Sequence, residues 1–170
     1  MRYIQFFILL GLLLQSFNAF AEKAYVGIEA IRTETKAAGA KFKPYQAKVK
    51  AGYYLRQQIA LEAQYIFSGD DDDSGSNLEI EQIYGGYIRL ESKLHNRVRL
   101  FLLAGYAESA LNLTGQSSFN DKYDGFSWGI GAEDRFVRMP NTYFTLEYMQ
   151  YYDHDDVSIS GISLGMRYLF

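Results

Sequence analysis

The stretch SLGMRYLF, residues 163 to 170, alternates between apolar side chains and side chains that are small or charged. The apolar positions, continued one step upstream, are Ile162, Leu164, Met166, Tyr168 and Phe170. Ser163, Gly165 and Arg167 stand between them, and Leu169 is the exception. Because successive side chains of a β-strand point to opposite faces, this pattern predicts a strand with one apolar and one polar face.

Seven further segments show the same alternation, so the sequence predicts eight strands. The seven are residues 24–32, 45–55, 59–67, 78–91, 97–107, 125–135 and 142–152. Their polar faces carry glycines and isolated charges near mid-strand rather than long solubilising runs. Aromatic residues lie toward the ends of the apolar faces, at Tyr45, Phe67, Tyr152, Tyr168 and Phe170. A soluble sandwich would bury its apolar faces, whereas a membrane barrel turns them to lipid and keeps polar residues inside.

The connections between the predicted strands fall into two classes. Three are short, at residues 56–58, 92–96 and 136–141, and three are longer and more polar, at 33–43, 68–77 and 108–124. The seventh, around residues 153–158, lies at the same end as the long ones but is short and acidic. Short turns at one end and long loops at the other are typical of outer-membrane barrels. We therefore predict an all-β fold, an eight-stranded antiparallel transmembrane up-and-down β-barrel, with its long loops outside the cell.

The N-terminus has the features of a secretory signal peptide. A positive Met-Arg pair precedes an apolar segment at residues 3–14, and an A-x-A arrangement follows at 19–21. The apolar segment is short for a membrane span, which needs about 20 residues. We predict that residues 1–21 are cleaved and that residues 22–170 form the barrel domain of an exported protein.

The composition excludes several classes of function. The chain of 170 residues has a formal charge of −3, which argues against a nucleic-acid partner. It has no cysteine, so neither disulfides nor thiol chemistry are available. The longest apolar run after the N-terminal segment is about residues 100–107, too short for a transmembrane helix.

Charged residues on the polar faces form the first candidate site. The predicted inward-facing charges are Glu29, Glu62, Arg89, Arg99, Glu133, Glu147 and Arg167, joined by Lys48 and Lys50. An eight-stranded barrel is just wide enough for side chains to fill, and charges in so narrow a space must pair to offset desolvation. The sequence predicts a structural network that plugs the lumen; a pore for small solutes is the alternative.

An acidic run, Asp70 to Asp73, forms the second candidate site. Together with Ser74, Gly75 and Glu81 it approaches a calcium-loop pattern. The serine replaces a usual ligand and no helices flank the run, so a solvated loop tip is the favoured interpretation. Weak binding of a divalent cation stays open, because hard cations favour clustered carboxylates. We predict no dedicated metal site and no cofactor.

Three stretches resemble a known family: SLGMRYLF at the end, LEY at 146–148 and GIGAE at 129–133. They are similar to the OmpA/OmpX-type small outer-membrane barrels, of the porin-family-like barrel domains, over essentially the whole mature chain. The resemblance implies location in the bacterial outer membrane, with lipid and lipopolysaccharide as surroundings. It also implies that Tyr168 and Phe170 form the signal read by the barrel-assembly machinery.

The same resemblance implies a non-enzymatic role in envelope integrity or in surface interaction through the outer loops, with a ligand that the sequence does not identify. Some barrels of this fold modify lipid A, and such an enzyme would need a serine, a histidine and a carboxylate together. His154, with Asp153 before it and Ser158 after it, could be drawn as such a triad, whereas His95 lies in a predicted turn. The deacylase His-x-Ser pattern is missing, so we predict no catalytic residue.

Overall fold

The computed structural model describes residues 23–37, 40–69, 77–114, 119–154 and 157–170. The predicted signal peptide and the acidic run 70–73 lie outside these ranges. Nine strands form within the described residues: β1 Ala24–Ala37, β2 Ala40–Phe42, β3 Tyr45–Arg56, β4 Ile59–Gly69, β5 Asn77–Glu91, β6 Val98–Thr114, β7 Phe119–Arg135, β8 Thr142–His154 and β9 Val157–Leu169. In this part of the chain, no helix is long and apolar enough to cross a membrane.

The strands form one closed antiparallel sheet. Each strand from β3 to β9 pairs with the next, β1 pairs with β3, and β9 returns to pair with β1. The short strand β2 pairs only with the last residues of β1, so it extends a hairpin and is not one of the eight strands that form the barrel wall. The prediction of an eight-stranded antiparallel barrel is therefore confirmed.

Alternation along each strand sorts the side chains between the two surfaces of the wall. An apolar band covers the outside, formed by Val26, Ile28, Leu61, Ile88, Leu100, Leu102, Ile130, Leu146, Leu164 and Met166, all exposed. The intervening residues point inward and are buried, for example Glu29 between Ile28 and Ala30. Because a closed barrel leaves no free edge along the paired part of the wall, it satisfies its backbone groups internally, as a lipid environment requires.

Several strands are longer than the sequence pattern predicts. β1 extends to Ala37, β6 to Thr114, and β7 begins at Phe119, so much of the predicted loops 33–43 and 108–124 is strand. These extensions lie at the end of the barrel opposite the turns at 57–58, 92–97 and 136–141. We call these two ends the long-hairpin end and the short-turn end. The extensions were missed because polar residues on both faces hide the period-two pattern.

Two adjacent strands, β7 and β8, are not paired along their whole length at the long-hairpin end, and we call such an unpaired stretch between neighbouring strands a seam. β7 first pairs with β8 at Trp128, opposite Gln150, whereas its ladder with β6 continues to Phe119. Residues 119–127 therefore have no paired strand on the β8 side within the described chain. Tyr152 fills part of this gap, with its ring near Gly125. Tyr152 thus packs into the wall, contrary to the outward position predicted for it.

A second, shorter seam separates β3 from β4. Their ladder begins at Lys48, opposite Ile66, although β3 starts at Tyr45 and β4 ends at Gly69. The Gln46 side chain crosses the seam and donates a hydrogen bond to the carbonyl of Phe67, at 3.0 Å. The two seams divide the long-hairpin end into two groups of four strands, β4–β7 and β8–β9–β1–β3.

Candidate functional site: the charge cluster inside the barrel

Ten charged side chains face one another inside the barrel. The five cations are Lys48, Lys50, Arg89, Arg99 and Arg167, and the five anions are Glu29, Glu62, Glu91, Glu133 and Glu147. Each of the eight strands of the barrel wall contributes at least one of them. The Arg99 side chain is 11% exposed and the other nine are fully covered. The formal charges cancel, as burial in a narrow interior requires.

A lysine group connects β3 to three other strands. Lys48 Nζ lies 2.5 Å from Glu29 Oε2 and 2.6 Å from Glu147 Oε1. It donates a third bond to Ser163 Oγ at 2.7 Å, and Ser163 in turn donates to Glu29 at 2.6 Å. Lys50 pairs with the same two glutamates. All three donors of the Lys48 ammonium are therefore used, which leaves none to be satisfied by water.

An arginine group lies next to it. Arg89 pairs with three glutamates: Nε with Glu91 at 2.7 Å, Nη1 with Glu62 at 3.1 Å, and Nη2 with Glu133. Arg167 Nη2 lies 2.6 Å from the second oxygen of Glu133. Charge-assisted bonds with a planar guanidinium are among the strongest available to side chains, so each arginine fixes strands that are not neighbours.

Aromatic rings complete the arginine group. Arg89 lies over the Phe101 ring at 3.6 Å from its centroid, and Arg167 lies over Tyr25 at 4.4 Å. Tyr25 also donates a hydrogen bond to Glu62 at 2.6 Å. The ring faces add cation–π attraction and exclude water from the guanidinium groups.

One amide joins the two groups into a continuous network. Gln64 Nε2 donates to Glu62 at 2.7 Å and to Glu147 at 3.1 Å. Glu62 belongs to the arginine group and Glu147 to the lysine group. The network thus crosses the interior from wall to wall.

The structure places all seven sequence-predicted charges, with Lys48 and Lys50, in this network. Glu91 is the member that the sequence analysis left out of the site. It pairs with Arg89 at 2.7 Å and with Arg99 at 2.5 Å. Its position two residues after Arg89, on the same face of β5, was the available signal. Tyr168 and Phe170 are exposed on the outside, with ring centroids 5.3 Å apart, and their role in assembly stays a prediction.

An apolar cluster fills the interior on the long-hairpin side of the charges. Its buried members are Ile31, Ile66, Ile83, Tyr87, Phe101, Leu103, Ala107, Met149, Tyr151 and Ile159. Sequence alternation predicted a mainly polar inner face, and this apolar cluster departs from that prediction. The interior therefore has two layers, one of ion pairs and one of apolar side chains.

The predicted histidines occupy different surroundings. His95 lies in the exposed β5–β6 turn, where its backbone pairs with Val98. His154 ends β8 and lines a cavity of about 470 Å³ at the β7–β8 seam, together with Asp124, Asp153 and aromatic residues. Among the described residues, no serine lines this cavity, and Ser158 Oγ accepts a hydrogen bond from Gln150 at 3.0 Å. Within the described ranges, no group of three or more His, Asp or Glu residues could hold a metal ion.

A family model for the outer membrane protein beta-barrel domain matches residues 7–170. The chain belongs to this family. The OmpA/OmpX-type resemblance is thereby confirmed, and membership places this outer-membrane barrel in the bacterial outer membrane. The match begins inside the predicted signal peptide, whose cleavage stays a prediction. A comparison with curated proteins found no match.

Solved structures show the same fold. Neisserial surface protein A is 17% identical with a TM-score of 0.68, and the alignment covers 86% of this chain and 97% of that one. Ail of Yersinia pestis, solved with the heparin analogue sucrose octasulfate, is 17% identical with a TM-score of 0.66, covering 87% and 98%. OprG of Pseudomonas aeruginosa is 7% identical with a TM-score of 0.61, covering 88% and 97%. At these identities the likeness establishes the fold of the outer-membrane barrel and nothing more.

Proposed function

We propose that this outer-membrane barrel is a non-enzymatic anchor that displays its long-hairpin end at the cell surface for interaction with a partner. The observation that carries the proposal is the neutral ion-pair network that crosses the whole interior. A wall built around such a network supports a rigid scaffold, and rigid scaffolds commonly present binding sites on their protruding ends.

We further propose that the network plugs the lumen. Ions would have to displace paired charges, and the apolar cluster lies beyond them along the same axis. Breaking a buried pair leaves an uncompensated charge, which costs about 3–5 kcal/mol. Mixed signs also fail to provide a ring of one charge that would select an ion.

Planar-bilayer recordings test the plug against the alternative of a small-solute pore. The wild-type protein is expected to show no steady open state. Arg89→Ala removes one of the two largest fully buried side chains of the described chain and is expected to leak, whereas Arg138→Ala in an exposed turn is expected to stay closed. A steady wild-type conductance would contradict the plugged lumen and favour transport.

The seam at the long-hairpin end supports the display role. β7 carries an unpaired edge there, and the adjoining cavity is lined by Phe126, Trp128 and two aspartates, Asp124 and Asp153. Phe126 lies on the outer surface beside this edge and is 69% exposed. Acidic and aromatic groups beside a strand edge favour a partner that presents a basic, extended segment.

This chemistry differs from that of one structural neighbour. Ail is described in complex with a heparin analogue, which is a polyanion. The acidic cavity of the present barrel would repel a polyanion, so we expect a different partner class. Binding of a decalysine probe to nanodisc-embedded protein tests this expectation. Asp153→Asn is expected to weaken binding about threefold, within the range for a single rim charge.

The control for that experiment is Asp134→Asn, which removes the same charge at the short-turn end and is expected to leave binding unchanged. Wild-type binding should also weaken as salt rises, because screening shortens the reach of exposed charges. If Asp153→Asn and Asp134→Asn weakened decalysine binding equally, the seam would not be the binding site.

A lipid A-modifying enzyme is the remaining alternative, and mass spectrometry of lipid A tests it. Cells that express His154→Ala are expected to have the same lipid A as cells that express the wild type. No serine is present among the described residues that line the His154 cavity, which supports this expectation. A change in acylation confined to the variant would assign a catalytic role to His154.

We also propose that outer-membrane lipid and lipopolysaccharide surround the apolar band, and that the barrel-assembly machinery reads Tyr168 and Phe170. Deletion of Phe170 is expected to lower the amount of folded barrel in the membrane fraction. Leu169→Ala, which changes the neighbouring inward position, serves as the control. Equal assembly of wild type and deletion would remove the signal role from this residue.

A further inference from the structure

The mouth of the barrel at the short-turn end contains a cavity that the ion-pair network does not fill. Its volume is about 600 Å³, and it is lined by Lys23, Tyr54, Arg56, Gln57, Arg99 and Leu169. This volume falls within the range of about 300–1,000 Å³ that is usual for small-molecule sites. Three of the six lining residues are cations, and none is a carboxylate.

The two outermost cations are surplus to the charge balance of the interior. Lys23 and Arg56 are both exposed, and neither forms an ion pair with a described carboxylate. The nearest glutamates of the network are already shared: Glu91 pairs with three arginines, and so does Glu133. Within the described residues, no ion pair neutralises these two positive charges at the mouth.

Arg99 forms the floor of the cavity and is incompletely satisfied. Its Nη1 lies 2.5 Å from Glu91, but its Nε and Nη2 atoms make no hydrogen bond within the described part of the chain. Nη2 lies 3.2 Å from Glu133. The guanidinium is held over the Tyr143 ring at 4.8 Å, so its direction is set. Arg99 lines the cavity, so its positive charge lies close to those of Lys23 and Arg56.

We propose that this mouth binds a phosphate group, held by Lys23 and Arg56 at the rim and by Arg99 below. A phosphate monoester carries about 1.5 to 2 negative charges at neutral pH, which matches the two surplus cations. Its oxygens suit the forked donors of arginine. The ring of Tyr54 and the side chain of Leu169 leave space for an uncharged organic part.

Two sources could present a phosphate group: a soluble monoester, or the phosphodiester of a phospholipid headgroup that reaches the mouth and carries one negative charge. The proposal concerns a site at the opposite end from the seam, so it does not depend on the surface role of the barrel. If the phosphate site is wrong, the proposed surface role is unaffected, and the reverse is also true.

Calorimetric titration in a maltoside detergent, which has no phosphate of its own, tests the proposal with glycerol 3-phosphate as the probe. Lys23→Gln/Arg56→Gln is expected to weaken binding at least about tenfold, because two charge-assisted contacts are lost. Lys93→Gln/Arg138→Gln removes the same charge from turns at the same end and is expected to bind like the wild type. Equal weakening in both double variants would overturn the site.

Arg99→Lys separates a fitted site from general attraction. It keeps the charge but loses the fork, and it is expected to weaken binding while the heat-dependent gel shift shows an intact barrel. Unchanged affinity would overturn the role of Arg99. Binding of neutral glycerol as tightly as glycerol 3-phosphate, or no binding by the wild type, would overturn the proposal as a whole.

A short-chain phosphatidylglycerol distinguishes the two sources. Tighter binding of this lipid than of glycerol 3-phosphate would assign the site to a membrane headgroup, and the reverse would assign it to a soluble monoester. Either order supports a phosphate site, provided that the mouth variant weakens it and the turn variant does not.

Discussion

Single residues inside the barrel show how burial makes a charge depend on its partners. Glu133 forms ion pairs with Arg89, Arg99 and Arg167, and its own side chain is fully covered. Each ion has lost its water, so its stability rests on the geometry of the pairs. Removing one member of a buried ion pair therefore costs much more stability than removing one member of an ion pair on the surface.

Glu133→Gln is expected to lower the free energy of unfolding by about 3–5 kcal/mol, because three guanidinium groups lose their shared anion. Urea titration of the folded fraction on gels would measure the change. Glu34→Gln serves as the control, since Glu34 pairs with Lys43 at 3.0 Å on the surface, where such pairs contribute little. Similar losses in both variants would contradict the central role of Glu133.

Two glycines provide a second test at the residue scale. A Cβ on Gly165 would overlap the carbonyl oxygen of Ile28 and lie 2.5 Å from the Cα of Glu29, both on the neighbouring strand. A Cβ on Gly86 would meet nothing within 4 Å. We expect Gly165→Ala to destabilise the barrel by about 1–3 kcal/mol through overpacking, and Gly86→Ala to leave it unchanged. Thermal unfolding in detergent would rank the two variants.

At the scale of elements, the length of a strand and the length of its ladder are different properties. β7 has regular strand geometry from Phe119, yet its pairing with β8 begins only at Trp128. Alternation determines which face a side chain occupies, whereas pairing depends on how far the neighbour extends in the same direction. An unpaired edge in a folded strand is open to another chain, which is why this element supports the display role.

Hydrogen–deuterium exchange in nanodiscs should detect this difference within one strand. Amides of residues 123–127 that point toward β8 are expected to exchange faster than those of residues 129–133, because they have no partner strand. Those of β6 opposite the same stretch are expected to be slow, since the β6–β7 ladder is continuous. Uniform protection along β7 would mean that the seam is closed in the membrane.

For the whole molecule, closure and the internal network act together. Every strand of the barrel wall is joined to its two neighbours by backbone hydrogen bonds. Side chains such as Lys48 and Arg89 also connect strands that are not neighbours. Partial unfolding would expose both strand edges and unpaired charges to hydrocarbon, which is costly. The barrel should therefore unfold as one unit.

Electrophoresis of the membrane fraction tests this cooperativity. Unheated protein is expected to migrate as a compact band and boiled protein as an extended one, with no intermediate at rising temperatures. Purified protein that stays monodisperse in water without detergent would contradict a lipid-facing apolar band.

The sequence by itself determined which face most strand residues occupy, with Tyr152 as an exception. Glu29, Arg89 and Arg167 could be placed inside, and Ile162, Leu164 and Met166 outside, because the period of two is a local property of an extended chain. The short turns were equally visible, since turns bound the alternating runs.

Only the tertiary structure decided which inward charges meet. Lys48 pairs with Glu147, which is 99 positions away in the sequence, and Glu133 pairs with arginines from three other strands. The inclusion of Glu91, the apolar layer, the seam at Trp128 and the cationic mouth were also settled at this level. These features depend on the register with which the sheet closes, and register joins residues that no local pattern connects.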